Sequence, residues 1–103
     1  MRLSIRSQTY LERLDCVLAD GAGKFGARIA KETLRRIDRT IERYLAYFPG
    51  SKMPDPDLGL VVYPVTKTPF VVIYDYDDLE LRVHFIEYAS ADLTQIDPTS
   101  AEW

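Results

Sequence analysis

Residues 70–76, Phe70-Val71-Val72-Ile73-Tyr74-Asp75-Tyr76, and residues 79–88, Leu79-Glu80-Leu81-Arg82-Val83-His84-Phe85-Ile86-Glu87-Tyr88, decide the fold. β-branched and aromatic side chains crowd both runs, and such side chains suit a pleated, half-buried surface better than a helix. From Phe70 to Tyr74 the first run is apolar without a break, as in a central strand covered on both faces. Only Asp77 and Asp78 separate the two, so they read as an antiparallel hairpin. A two-residue turn there sets Tyr74 opposite Leu81, Val72 opposite Val83 and Phe70 opposite Phe85, a face expected to pack on helices. The other face then holds Val71, Ile73, Arg82, His84 and Ile86. The same register places Asp75 against Glu80, and Asp-Asp lacks the glycine of tight hairpin turns, so a bulge is the alternative. Upstream, Leu60 to Pro64 reads as an edge strand, because Pro64 has no N–H to give to a ladder. The three runs form an antiparallel meander.

Outward from the meander the period changes. Pro54 and Pro56 alternate with Asp55 and Asp57 between Ser51 and Leu58, which predicts an extended loop. Before it, Phe25, Ile29, Ala30, Leu34, Ile37, Ile41, Leu45 and Phe48 recur at helical spacing, predicting a long helix from Lys24 that Pro49 and Gly50 end. A first helix, capped by Ser7 or Thr9, carries Leu11, Leu14 and Leu18 and is expected to end at Asp20 to Gly23. Two apolar stripes joined by a short glycine-containing connection make an antiparallel helical hairpin. Arg2 to Ile5 reads as a short first strand. The expected fold class is α+β: a short N-terminal strand and a helical hairpin packed on a three- to four-stranded antiparallel sheet. Residues 1–92 form the domain and 93–103 a C-terminal tail, in which Asp97-Pro98 opens a last helical turn and Trp103 either folds back on the domain or serves as a contact aromatic for a partner.

Of the 103 residues, 47% are hydrophobic and 28% charged, enough for one core and one domain. No apolar run reaches the ~20 residues of a bilayer span, and no signal-peptide pattern follows Met1, so a cytoplasmic protein is expected. Cys16 is the only cysteine and reads as a small buried hydrophobe; with His84 the only histidine, no metal cage and no cofactor are expected. Asp75, Asp77, Asp78 and Glu80 lack the glycine and the ligand spacing of a calcium loop and read as a solvated hairpin tip. Charge is unevenly spread: residues 1–52 carry 11 basic and 6 acidic side chains, residues 53–103 carry 2 and 10. Most of the basic excess, Arg28, Lys31, Arg35, Arg36, Arg39 and Arg43, lies on the second helix. Such a run is a solvated face or a docking surface for an acidic partner. The net charge of -3 argues against general nucleic-acid coating.

Tyr47-Phe48-Pro49, the proline-rich loop to Leu58-Gly59, Tyr63-Pro64-Val65 and Thr68-Pro69-Phe70-Val71-Val72-Ile73-Tyr74-Asp75-Tyr76, taken in this order, resemble the ParE branch of the ParE/RelE toxins across residues 2–92. The resemblance implies a toxin of a type II toxin–antitoxin system that inhibits DNA gyrase by protein contact, is not an enzyme, and is held in a hetero-oligomer by a ParD-like antitoxin. In that family the last strand runs into His-Ala-x-Arg-Asp. Here the stretch is Tyr88-Ala89-Ser90-Ala91-Asp92, with Tyr88 at the histidine position and Ala91 at the arginine position. RelE-like relatives are similar in fold but cleave messenger RNA with clustered Lys/Arg side chains and a Tyr or His for proton transfer. On its late strands this chain offers only Lys67, Arg82 and His84, with Tyr63, Tyr74 and Tyr88 as possible proton donors. A relative that keeps antitoxin binding without toxicity is the third reading. The candidate antitoxin surface is Arg28, Arg35, Arg36 and Arg39 of the second helix beside Val71, Ile73 and Ile86, read as an exposed apolar sheet face. The candidate toxicity patch is Arg82, His84, Tyr88, Asp92 and Trp103.

Overall fold

A computed structural model describes residues 1–103. Strand β1 (Leu3–Arg6) is followed by helices α1 (Gln8–Phe25) and α2 (Ala27–Arg39), and α2 runs on through a π-helical turn, Thr40–Leu45. Then come β2 (Val61–Pro64), β3 (Phe70–Tyr76) and β4 (Glu80–Tyr88), with 3-10 turns at Pro49–Ser51 and Leu93–Gln95. The chain is α+β, as the residue patterns predict. β2, at the edge, carries Pro64, and β3 lies between β2 and β4 in the order β1-β4-β3-β2.

The sheet is mixed, which corrects the antiparallel expectation: β1 pairs with β4 in parallel, Leu3 beside Glu80 and Ile5 beside Arg82. β1 takes the free edge of β4, and its direction follows from α1, which starts at Ser7 and must run back across the sheet. Ser7 marks this corner. Its buried Oγ accepts from the Tyr10 N–H (2.9 Å) and donates to the His84 carbonyl (2.6 Å), so one hydroxyl caps α1 and ties it to β4.

The helices also break elsewhere than expected. Gly21 and Gly23 stay inside α1, and the chain turns at Gly26, whose φ of 93° suits only glycine. Apolar contacts across the hairpin outweigh the ~1 kcal/mol that an interior glycine costs. Tyr10, Leu14 and Val17 of α1 meet Ile37, Ile41 and Leu45 of α2 over Val72, Tyr74, Leu81, Val83 and Ile86 of the sheet. Phe25, Ile29 and Phe48, at the ends of the predicted stripe, are exposed, and so are Leu11 and Cys16. Cys16 is therefore no core residue.

Between β3 and β4 the register differs from a two-residue turn. Tyr76 faces Leu81, Asp75 faces Arg82, Tyr74 faces Val83 and Ile73 faces Phe85, with a bulge at His84; beyond it Phe70 faces Tyr88. A wider loop allows this: the Asp77 carboxylate accepts from the N–H groups of Leu79 and Glu80, both at 2.8 Å. The shift replaces an Asp75–Glu80 repulsion by an Asp75–Arg82 attraction. The bulge then swaps two side chains between faces, sending Ile86 into the helix-side core and Phe85 to the outer face.

That outer face is covered. Val71, Ile73 and Phe85 pack with Leu58 and Leu60 of the loop, and Leu93, Ile96 and Ala101 of the tail lie against them. Val71, Ile73 and Ile86 are 6%, 0% and 1% exposed, so the expectation of an open apolar sheet face is wrong. The chain supplies its own cover because the tail spends its apolar side chains there. Asp92, not Asp97, caps the tail's short helical turn, accepting from the Thr94 N–H at 3.1 Å; Asp97 instead accepts from the Thr99 N–H at 2.9 Å. The tail ends on α1, where the Glu102 carbonyl accepts from the N–H groups of Gln8 (2.6 Å) and Thr9 (3.4 Å). Two donors that a helix N-terminus leaves unpaired are thereby satisfied.

Candidate functional site

Opposite Asp75 on the outer side of the hairpin, Arg82 directs Nε and Nη2 at the two Asp75 carboxylate oxygens, 3.0 and 3.1 Å away. Its Nη1 donates to Asp77 at 2.9 Å and to Glu80 at 3.3 Å. His84 Nε2 lies 2.8 Å from Asp75 Oδ1, and its buried Nδ1 has no partner. The Trp103 ring stands edge-on to the imidazole, centroids 4.8 Å apart, which bears out the expectation that the tryptophan folds back. Asp75, Asp77 and Glu80, read from the sequence as a solvated tip, are thus the counter-ions of Arg82. A register that puts Asp75 opposite Arg82 would have revealed the cluster.

The carboxyls respond to this geometry. Burial works against ionisation of Asp75, but hydrogen bonds from Arg82 and His84 outweigh it and hold the carboxyl below its usual range. Asp77 is lowered to about 2, chiefly by Arg82 and then by the N–H groups of Leu79 and Glu80. Arg82 is pushed further up by Asp75 and Asp77. Three carboxylates surround one guanidinium, so this face has no spare positive charge to offer a phosphate.

The five residues of the candidate toxicity patch do not meet. Arg82, His84 and Trp103 share the outer face. Tyr88 is on the helix side, stacked near Phe70 (4.9 Å between centroids), with its hydroxyl donating to Asp20 at 3.1 Å. Burial and then the bond to Asp20 push this phenol up. The Asp92 carboxylate is taken by Thr94 and Gln95.

The basic residues of α2 do form a surface. Lys31, Arg35, Arg39 and Arg43 follow one another at four-residue intervals along a hollow that also contains Asp38 and Glu42. Those two carboxylates are engaged from below by Arg6, at 2.6 and 3.3 Å. Arg36 is paired with Glu32 at 3.0 Å and stands apart from the row. Arg28, Lys31, Arg35, Arg39 and Arg43 are exposed and make no ion pair within the chain. From Lys31 to Arg43 the row is roughly 18 Å long at 1.5 Å per residue. Of the expected antitoxin-binding residues, Arg28, Arg35 and Arg39 are free to contact a partner, Arg36 is occupied, and Val71, Ile73 and Ile86 are inaccessible.

No helix is long and apolar enough to cross a membrane. No protein-family model matches the sequence, and no curated protein matches it at a significant level.

Proposed function

We propose that this chain is the toxin of a type II toxin–antitoxin pair, a cytoplasmic, non-enzymatic protein of ParE type that acts on DNA gyrase by contact and is held in a hetero-oligomer by a ParD-like antitoxin. The observation that carries the reading is the row of unpaired cations on α2. A row of exposed, unpaired cations about 18 Å long suits an acidic, initially disordered segment that becomes helical as it binds. Support also comes from the α+β arrangement, which agrees with the fold that the sequence resemblance implies. The neutralised Arg82 speaks against the RNA-cleaving alternative, because a pentacoordinate phosphate needs unopposed positive charge.

The test is induced expression alone and together with the protein encoded beside it, followed by gyrase supercoiling and ribosome-dependent RNA cleavage assays. Growth arrest with inhibited supercoiling, relieved by the neighbour, is expected. RNA cleavage lost in Arg82→Ala would replace the reading by the nuclease one. Tight capture of the neighbour without arrest would mark a relative that has lost its toxicity. Replacing Arg35 and Arg39 with alanine should slow association with the antitoxin more than it speeds dissociation, and added salt should do the same.

A further inference from the structure

The exit from α2 exposes an aromatic surface that neither the basic row nor the core uses. Tyr47 and Phe48 are 50% and 60% exposed, and with Tyr44 and Tyr76 they line an open depression of about 640 Å³ whose floor is Pro49 and Gly50. Tyr44 lies 5.7 Å from Phe48 and 5.8 Å from Tyr63 between ring centroids, so the rings hold one another in place. The floor is fixed as well. Tyr74 donates its hydroxyl to the Pro49 carbonyl at 2.6 Å, and a Cβ on Gly50 would come within 2.9 Å of the Tyr76 hydroxyl. The π-helical turn Thr40–Leu45 sets the direction in which Tyr44 leaves the helix.

One cation faces this depression. Arg2 donates from Nε to the Asp77 carbonyl at 2.6 Å and lies 5.5 Å from the Tyr76 ring centre, while its Nη groups have no carboxylate partner. Exposed tyrosines beside an arginine on a rigid floor are the chemistry of protein–protein anchor points: large contact area at small entropy cost, with a fork for a carboxylate.

We infer that the Tyr44–Tyr47–Phe48–Tyr76 surface is a second docking site, which takes an acidic protein segment presenting an aromatic or proline anchor beside a carboxylate. The anchor sits over Pro49 and Gly50, and the carboxylate meets the Nη groups of Arg2. Single-stranded nucleic acid suits the surface less well, because the rings are tilted by 37–47° against each other and form no parallel platform for successive bases. The inference rests on the reading of the chain as a protein-binding module and adds a contact separate from the antitoxin row, available to the target.

The experiment is an amide chemical-shift titration of the full chain with four probes: the peptides Asp-Asp-Phe-Pro-Asp-Asp, Asp-Asp-Gly-Ser-Asp-Asp and Lys-Lys-Phe-Pro-Lys-Lys, and an oligo-dT. The acidic anchored peptide is expected to shift residues 44–50 and Tyr76, and to bind about tenfold more tightly than either altered peptide. Phe48→Ser and Arg2→Gln should each weaken it, with circular dichroism unchanged because both side chains lie outside the core. Shifts elsewhere or nowhere, equal binding of the basic peptide, or preferential shifts of the same residues by oligo-dT would each overturn the inference. Its failure is separable from that of the toxin reading. If the neighbour-encoded protein is captured and growth arrests while the peptide finds no site, only this surface falls; if the peptide binds here and the chain neither arrests growth nor captures a neighbour, the surface stands and the toxin reading falls.

Discussion

Replacing Ser7 with alanine removes two hydrogen bonds from one buried atom. The loss of the cap on Tyr10 N–H costs about 1 kcal/mol in comparable helices. The loss of the donor to the His84 carbonyl adds about 1–3 kcal/mol, because that oxygen sits at a bulge under α1. Together the change should cost roughly 2–4 kcal/mol, a large share of the ~5–15 kcal/mol available to a domain of this size. In melting temperature this is roughly 10–20 °C. Thr9→Ala supplies the contrast. Thr9 is the other cap that the sequence allows, but its Oγ1 accepts only the exposed N–H of Glu102, at 2.9 Å, so its loss should cost less than about 1 kcal/mol. Urea unfolding followed by far-ultraviolet circular dichroism would measure both, with the slope m checked for constancy. If Ser7→Ala lost less stability than Thr9→Ala, or under about 0.5 kcal/mol, the coupling of α1 to the β4 bulge through Ser7 would be wrong.

Acid should loosen the hairpin tip. The Asp77 carboxyl is depressed to about 2 in the folded chain, so its contribution is complete above the unfolded value near ~4 and is lost as pH falls through the folded one. Arg82→Gln should flatten the stability profile between those limits, and an unchanged acid limb would count against the network. Cys16 should react with Ellman's reagent in the native chain without a lag, whereas a thiol protected until denaturant is added would place it in the core. Deleting residues 93–103 should uncover Val71, Ile73 and Phe85 and raise the fluorescence of a bound hydrophobic dye. A truncated chain that binds no more dye than the full one would mean that the tail does not cover this face.

What the sequence makes legible is what period and punctuation control. β3 runs from Phe70 to Tyr76 as its composition predicts, and Pro64 sits at the sheet edge because a strand that cannot donate there must be peripheral. What it hides depends on single-residue offsets. One bulged residue, His84, sends Ile86 inward and Phe85 outward, and no local pattern marks it; the wider turn, a separate two-residue shift, is favoured by the pairing of Asp75 with Arg82 instead of Glu80. The wider turn, not the bulge, determines the site, since it sets Asp75 beside Arg82 and within reach of His84. The glycines misled for a related reason: Gly21 and Gly23 signal a break by propensity, but the stripe Tyr10, Leu14 and Val17 keeps α1 intact past them, and the positive φ falls on Gly26. The tail was the least legible part. Leu93, Ile96 and Ala101 have no period, so nothing local shows that they close the outer face of the sheet by packing against Leu58, Leu60, Val71, Ile73 and Phe85.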